Sequence, residues 1–236
     1  MLESPDMIQG TSNGPQLFLA SNSPRRRELL AIGDWEYNIL SAQVDETPLA
    51  GEGGMEYVQR LAKSKVVTAA SQAGVDGVII AADTSVINNR VSGKTKILGK
   101  PRDYDEAVEM LRDLRGHKHQ VHTAIAVLYS QGGLMRSDLC TTNVTMRNYS
   151  NEEIEDYVAS GDPMDKAGAY AIQHDGFHPV AQLDGCFANV MGLPLCHLTR
   201  SLVHFKITPK VNIPQACQAE IGYDCPVYHQ ILIENI

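Results

Sequence analysis

The sequence lacks a long hydrophobic run. No apolar stretch approaches the roughly 20 residues that a membrane-spanning helix needs. Residues 1–15 are polar, include Glu3 and Asp6, and contain no apolar segment like that of a signal peptide. These absences predict a cytoplasmic protein without a membrane partner.

An excess of positive charge is also missing, because 20 Lys and Arg stand against 28 Asp and Glu, giving a net charge of −8. General nucleic-acid binders need clustered excess positive charge, so the composition predicts no nucleic-acid partner. The five cysteines are scattered and odd in number, which favours reduced thiols over a disulfide framework. The length suits one domain, or two lobes beside a cleft.

Against this acidic background, three consecutive arginines stand at the start of a predicted helix. An apolar strand ends at Ser21 and Ser23, and Ser23 suits the N-cap of a helix that begins at Pro24. Cations are unfavourable at a helix N-terminus, because the helix dipole is already positive there. Arg25 and Arg26 therefore favour a site for a multiply charged anion over the alternative of arginines that project into solvent.

Two further segments present charged groups. The helix predicted over residues 56–72 has Lys65 on its apolar stripe, where the amine either reaches solvent or enters a cleft. The apolar run 78–82 predicts a buried strand ending on Asp83 and Thr84. Ligands in open α/β sheets bind beyond the carboxyl ends of strands, so Asp83 is a candidate catalytic group, with a turn-capping role as the alternative.

Helices and hairpins alternate along the rest of the chain, which predicts an α/β fold with a mixed twisted sheet and flanking helices. The further predicted strands cover 37–41, 120–129 and 134–146, and the further helices cover 104–114, a segment starting at Asn151, and about 194–204. A hairpin turn is predicted at Asn88-Asn89, and the acidic loop containing Glu46 is predicted to be mobile.

The candidate residues combine cations, which bind phosphates, with carboxylates, which bind magnesium or activate water. The cations are Arg25, Arg26, Lys65, Lys100 and Lys166, and the carboxylates are Glu46, Asp83 and Asp165. Polyphosphate hydrolysis needs such a set, because its catalysis consists mostly of charge neutralisation and the alignment of water. The residue types do not indicate which phosphate bond breaks.

Five motifs, in order, resemble the Maf family of nucleotide pyrophosphatases over about residues 16–203. They are Ser21-x-Ser23-Pro24-Arg25-Arg26, Ala82-Asp83-Thr84, Gly99-Lys100-Pro101, Asp165-Lys166-Ala167-Gly168-Ala169-Tyr170-Ala171-Ile172-Gln173 and Asn189-Val190-x-Gly192-Leu193-Pro194. The resemblance implies an elongated two-lobed single domain with a central cleft, similar to house-cleaning inosine triphosphate pyrophosphatases and usually homodimeric. We divide the chain into a flexible segment 1–15, a catalytic domain 16–205 and a C-terminal extension 206–236.

The resemblance also implies cleavage of a nucleoside triphosphate between its α and β phosphates, with a divalent metal, magnesium or manganese. Asp83 matches the proton acceptor for the attacking water, and surrounding cations and metal are expected to keep it ionised. Arg25, Thr84 and Gln173 match positions that select the substrate, and their combination resembles the branch acting on dTTP and UTP. The phosphate-binding set implied is Ser21, Ser23, Arg26, Lys65, Lys100 and Lys166, and the metal set is Glu46, Asp83 and Asp165.

Two segments depart from the family pattern. His174-Asp175 follows Gln173 where the family usually has glycine, which puts the base preference in question more than the reaction. The extension carries Cys217, Cys225 and His229 at a spacing that matches no common zinc site, which favours packing or a partner contact over metal binding.

Two other functions compete with this interpretation. His117, His119 and His122 resemble the start of a zinc metallo-hydrolase motif, although a strand from Gln120 would send His119 and His122 to opposite faces. A nucleotide-binding regulator of septum formation would use the same phosphate site without chemistry. Asp83 argues against the regulator, since an anion facing a triphosphate is repelled unless a metal intervenes.

Overall fold

The computed structural model describes residues 15–88 and 96–233. Its strands are β1 (Leu17–Ala20), β2 (Tyr37–Leu40), β3 (Val78–Asn88), β4 (Lys96–Leu98), β5 (Lys118–Tyr129), β6 (Met135–Met146) and β7 (Val180–Asp184). Its α-helices are α1 (Pro24–Ala31), α2 (Gly54–Ala73), α3 (Tyr104–Leu114), α4 (Asn151–Ala159), α5 (Phe187–Met191), α6 (Leu195–Val203), α7 (Ile213–Ile221) and α8 (Tyr228–Ile233). Short 3₁₀ helices span Asp162–Asp165 and Ala167–Ala169. Residues 1–14 of the predicted flexible segment, and Asn89 of the predicted turn, lie outside the described residues.

The strands form one mixed sheet in the order β2-β1-β3-β5-β6-β7, with β4 paired to β3. β1 runs parallel to both β2 and β3, and the other pairs are antiparallel. This arrangement confirms the predicted α/β fold with a mixed sheet and flanking helices.

β3 is longer than the sequence predicts, because it continues through Asp83 instead of ending there. On one side it pairs with β5, where Asp83 lies opposite Ala124. On its other side, β1 pairs with residues 78–80 and β4 pairs only from Val86 onward. Residues 81–85 of β3 therefore line an opening just beyond the carboxyl end of β1.

Alternating side chains of β3 face two different helical layers. Ile79 and Ala81 belong to the core cluster formed with α2, whereas Ile80 and Ala82 pack with α1 and α6. This alternation sends Asp83 toward α2 and the next residue toward α1. A third apolar cluster surrounds α3 and α4 at the far ends of β3, β5 and β6, giving a second lobe beside the opening.

The C-terminal extension packs against the core. Within it, Ile213 is buried, and Cys217, Tyr228 and Leu232 are partly buried against the cluster that contains α6. The described residues contain five free cysteines and no group of three side chains able to hold a metal ion. These contacts support the packing interpretation of the extension. No described helix has the length and apolar character needed to cross a bilayer.

Candidate active site

A cleft of about 400 Å³ opens where β3 leaves β1, between the two lobes. The predicted site residues in its wall are Ser21, Ser23, Arg25, Arg26, Glu46, Lys65, Asp83, Thr84, Lys100, Asp165, Lys166 and Gln173. They come from the β1–α1 turn and the start of α1, the Glu46 loop, α2, β3, the loop between β4 and α3, and the 3₁₀ helices with the residues that flank them. The structure therefore brings every one of these residues to one cavity.

Lys65 joins two carboxylates at the floor of the cleft. Its Nζ lies 2.5 Å from Oδ1 of Asp83 and 2.7 Å from Oε1 of Glu46. The Lys65 side chain is 12% exposed and that of Asp83 is 8% exposed, so this pair is largely removed from water. Of the two alternatives for Lys65, the amine enters the cleft.

The two carboxyl groups have opposite pKa shifts. Burial raises the pKa of Asp83, although the charges of Lys65 and Arg26 oppose that shift. The neighbouring cations therefore favour the ionised form of Asp83 as expected, but burial outweighs them, and the effect of a metal stays a prediction. Burial also acts to raise the pKa of the half-exposed Glu46, but the hydrogen bond from Lys65 and nearby positive charges hold it below its ordinary value.

The start of α1 faces the same cleft. Ser23 occupies the N-cap with an extended backbone and Pro24 is the first helical residue, as predicted, but the Ser23 side chain makes no capping hydrogen bond. Instead, the Ser23 amide donates to Oγ of Ser21 at 3.2 Å. The first turn of α1 contains no acidic residue. Pro24 has no amide hydrogen and the Arg27 amide donates to the Ser23 carbonyl, so within the described residues the amides of Arg25 and Arg26 are the ones left for an anion, which the helix dipole also favours.

Arg26 forms its hydrogen bonds with uncharged acceptors. Nε donates to the Gly192 carbonyl at 2.9 Å, and Nη2 donates to Oγ1 of Thr84 at 3.1 Å. Gly192 has φ of +110°, and a Cβ there would lie 3.2 Å from Oγ1 of Thr84 and 3.4 Å from Nε of Arg26. Glycine therefore permits this close approach, and no carboxylate neutralises Arg26 through these bonds.

Arg25 and Lys166 are both paired with carboxylates in or next to the first 3₁₀ helix. Nη1 of Arg25 lies 3.2 Å from Oδ2 of Asp165, and Nζ of Lys166 lies 2.7 Å from its Oδ1. Lys166 also lies 3.0 Å from Oδ1 of Asp162. Among the described residues, Glu46, Asp83 and Asp165 do not form one metal-binding group: Glu46 and Asp83 share Lys65, whereas Asp165 is paired with Arg25 and Lys166.

Lys100 and Gln173 are predicted site residues whose side chains remain without bonding partners among the described residues. Both side chains are exposed at the cleft, and neither has a hydrogen bond or ion pair with the described residues. The Lys100 loop is fixed to the second lobe by a 3.0 Å bond from the Gly168 amide to the Gly99 carbonyl. Both side chains are therefore available to a ligand.

Sequence reasoning missed Tyr57, whose hydroxyl donates to the Glu46 carbonyl at 2.8 Å. Arg60 holds the same loop, through the Thr47 carbonyl at 3.1 Å and a 2.6 Å ion pair with Glu52. These bonds tie the Glu46 loop to α2, and its predicted mobility stays a prediction. The signal was helical spacing, because Tyr57 precedes Lys65 by two turns and shares its face of α2.

The histidine alternative is wrong for the described residues. β5 places His119 and His122 on opposite faces, with His119 Nε2 2.8 Å from the Tyr170 hydroxyl and His122 Nδ1 2.8 Å from Oγ1 of Thr141. Burial lowers the pKa of His119 to about 4 and also lowers that of His122. The part of the chain that the structure describes contains no metal-binding group that includes them or His117.

The family model and the sequence relatives agree on one family. A family model described as Maf-like protein matches residues 16–205. The dTTP/UTP pyrophosphatase of Photorhabdus laumondii is 47% identical over 189 residues, covering 80% of this chain and 93% of that protein. Its counterpart from Yersinia pestis is 44% identical, covering 80% and 92%.

A more distant relative covers slightly more of the chain. The dTTP/UTP pyrophosphatase of Dehalococcoides mccartyi is 38% identical over 207 residues, covering 88% of this chain and 89% of that protein. Among solved structures, the Staphylococcus aureus Ham1 protein aligns with a TM-score of 0.45 and 15% identity, covering 88% and 98%. From the family model and the sequence relatives, this chain belongs to the Maf family.

Proposed function

We propose that the protein is a nucleoside triphosphate pyrophosphatase that hydrolyses dTTP and UTP to the monophosphate and pyrophosphate. One observation carries this proposal: a buried carboxylate, Asp83, shares a cleft with the arginine-bearing start of α1. The names of the sequence relatives support the substrate class. The nucleotide is the ligand proposed here, and the homodimer stays a prediction.

In this mechanism, Asp83 accepts a proton from a water molecule that attacks the α-phosphorus. A new bond forms between the water oxygen and phosphorus, the bond to the bridging oxygen breaks, and pyrophosphate leaves with that bond's electrons. A carboxyl group with a raised pKa is a stronger base, so the burial of Asp83 suits this step. Arg26 and Lys100, which have no carboxylate of their own bonded to them, neutralise the phosphates.

Glu46 and Asp83 fit a divalent metal, because their oxygens converge on one positive charge, the Lys65 ammonium. Magnesium is commonly held by one or two carboxylates together with substrate phosphates. These two residues would hold the ion, and Asp165 would not, since Arg25 and Lys166 engage its oxygens. When bound, the metal supplies positive charge that stabilises the phosphate oxygens.

A nucleotide panel tests the reaction. With magnesium added to protein freed of metal by EDTA, we expect dTTP and UTP to yield pyrophosphate and the monophosphate faster than CTP, GTP or ATP. Separate assays for pyrophosphate and orthophosphate identify the bond that breaks. Orthophosphate as the first product would overturn the proposed bond. Binding of nucleotides without turnover of any of them would favour the regulator instead.

Gln173 is the residue proposed to recognise the base, because a carboxamide offers a donor and an acceptor to the imide edge of thymine or uracil. Gln173→Ala should lower the ratio of dTTP to GTP turnover about tenfold, the cost of unmade hydrogen bonds. The ratio of kcat/KM values for the two nucleotides measures the effect. Gln182→Ala, a glutamine exposed on β7, is the matched control. An unchanged ratio in Gln173→Ala would remove Gln173 from base recognition.

A further inference from the structure

The loop that follows Gln173 is organised by the side chain of His174. Nδ1 of His174 accepts hydrogen bonds from two backbone amides, that of Gly176 at 3.2 Å and that of Phe177 at 2.9 Å. The His174 backbone adds a bond to the Ala171 carbonyl at 3.3 Å and accepts one from the His178 amide at 3.1 Å. One residue therefore makes four hydrogen bonds within an eight-residue segment, from 171 to 178.

The imidazole ring is itself held by the second lobe. It meets the ring of Tyr157 edge to face, with centroids 4.7 Å apart, and Tyr157 stacks on Phe177 at 4.4 Å. The Tyr157 hydroxyl accepts a hydrogen bond from the Ala171 amide at 3.0 Å and donates one to Asp162 at 2.8 Å. Tyr157 thus fixes the backbone before Gln173, and His174 fixes the backbone after it.

Between these two fixed points, the Gln173 side chain is exposed in the cleft and makes no hydrogen bond with the described residues. We propose that His174 is a positioning residue for substrate selection, whose imidazole holds the loop so that the Gln173 carboxamide faces the nucleotide base. This inference rests on the proposed function, because it assigns His174 a part in the binding of the same substrate.

The chemistry of the contact suggests a conservative variant. An imidazole that accepts at Nδ1 carries its hydrogen on Nε2, and a side chain must present an acceptor one atom beyond Cγ to replace it. Asparagine presents Oδ1 at that position, whereas alanine presents nothing. His174→Asn therefore keeps the two amide bonds of Gly176 and Phe177, and His174→Ala removes them.

Steady-state kinetics with dTTP test the inference. We expect His174→Ala to raise KM about tenfold, from the loss of two backbone hydrogen bonds, with kcat within about twofold of the wild type. A merely destabilised fold would instead lower the active fraction and with it the apparent kcat. His174→Asn should keep KM within about twofold. An unchanged KM in His174→Ala, or a KM in His174→Asn as high as in His174→Ala, would overturn the inference.

A double-mutant cycle with Gln173 shows whether His174 acts through that residue. In a Gln173→Ala background, His174→Ala should add no further rise in KM. A full additional tenfold rise would show that His174 acts on another group, and the inference would fall. Hydrogen exchange of the Gly176 and Phe177 amides gives a readout independent of activity, and we expect it to accelerate in His174→Ala but not in His174→Asn.

Failure of this inference and failure of the proposed function look different. If the wild-type protein releases no pyrophosphate from any nucleotide, the proposed function is overturned and the inference falls with it. If the wild type is active and His174→Ala leaves the KM for dTTP unchanged, only the inference is overturned.

Discussion

Asp83→Asn is expected to lower kcat for pyrophosphate release from dTTP by about 10²–10⁴-fold, the usual contribution of a general base. Asparagine has nearly the same shape but cannot accept the proton of the attacking water. The Arg26 bonds to Gly192 and Thr84 do not involve Asp83, so the phosphate-binding side of the cleft should persist. Binding of an α,β-imido analogue of dTTP should therefore change little, as measured by calorimetry.

The matched control is Asp113→Asn, which removes a carboxylate from the surface of α3, where it pairs with Lys96 at 3.4 Å outside the cleft. This variant should keep wild-type turnover. Retention of near wild-type kcat in Asp83→Asn would remove Asp83 from the mechanism. A loss of analogue affinity as large as the loss of kcat would instead make Asp83 a binding residue.

The position of Asp83 shows what the sequence could predict. The apolar run before it correctly indicated a buried strand, and the rule that ligands bind at strand ends correctly indicated a cleft. The strand that ends there is β1, however, while β3 continues to Asn88. An apolar run reports burial on both faces, and a polar residue that points into a cleft interrupts the run without ending the strand.

The partners of the charged residues were beyond sequence reasoning. The motifs placed Arg25 and Asp165 in one site and gave them separate roles, substrate selection for Arg25 and metal binding for Asp165. The structure pairs the two side chains with each other. Residues 140 positions apart meet only through the packing of the second lobe, which no local pattern encodes. Asn189 also belongs to one of the motifs, but it does not reach the cleft. Its side chain is buried and donates to the Val121 carbonyl and to Oγ1 of Thr142.

The spacing of the cysteines in the C-terminal extension favoured packing or a partner contact over zinc, but it gave the cysteines no position in the fold. Sequence could not show that Cys217 packs against the core, because α7 has only a short apolar face whose partner lies on α6 and neighbouring elements. Amphipathic spacing predicts that a helix buries one face, but not which surface covers it.

Lys65→Met is expected to destabilise the fold by about 3 kcal/mol, because removal of one partner leaves a buried charge without its main compensation. Lys65 is 12% exposed and Asp83 is 8% exposed, so water cannot replace the lost ammonium well. Urea unfolding at neutral pH measures the loss. Lys63→Met is the matched control, since Lys63 lies two residues earlier on the exposed face of α2. This control should change the free energy of unfolding little.

The double variant Lys65→Met/Asp83→Asn separates a lost charge from lost packing. Burial raises the pKa of Asp83, so ionisation of this carboxyl group is less favourable in the folded state than in the unfolded chain even with Lys65 present. Replacement of the carboxylate by a neutral amide should therefore restore much of the stability that Lys65→Met loses, a coupling that the two single variants and the double variant measure together. A double variant as unstable as Lys65→Met would assign the loss to packing of the lysine stem. Stability equal to the wild type in Lys65→Met alone would mean that the ammonium does not compensate Asp83 in the folded protein.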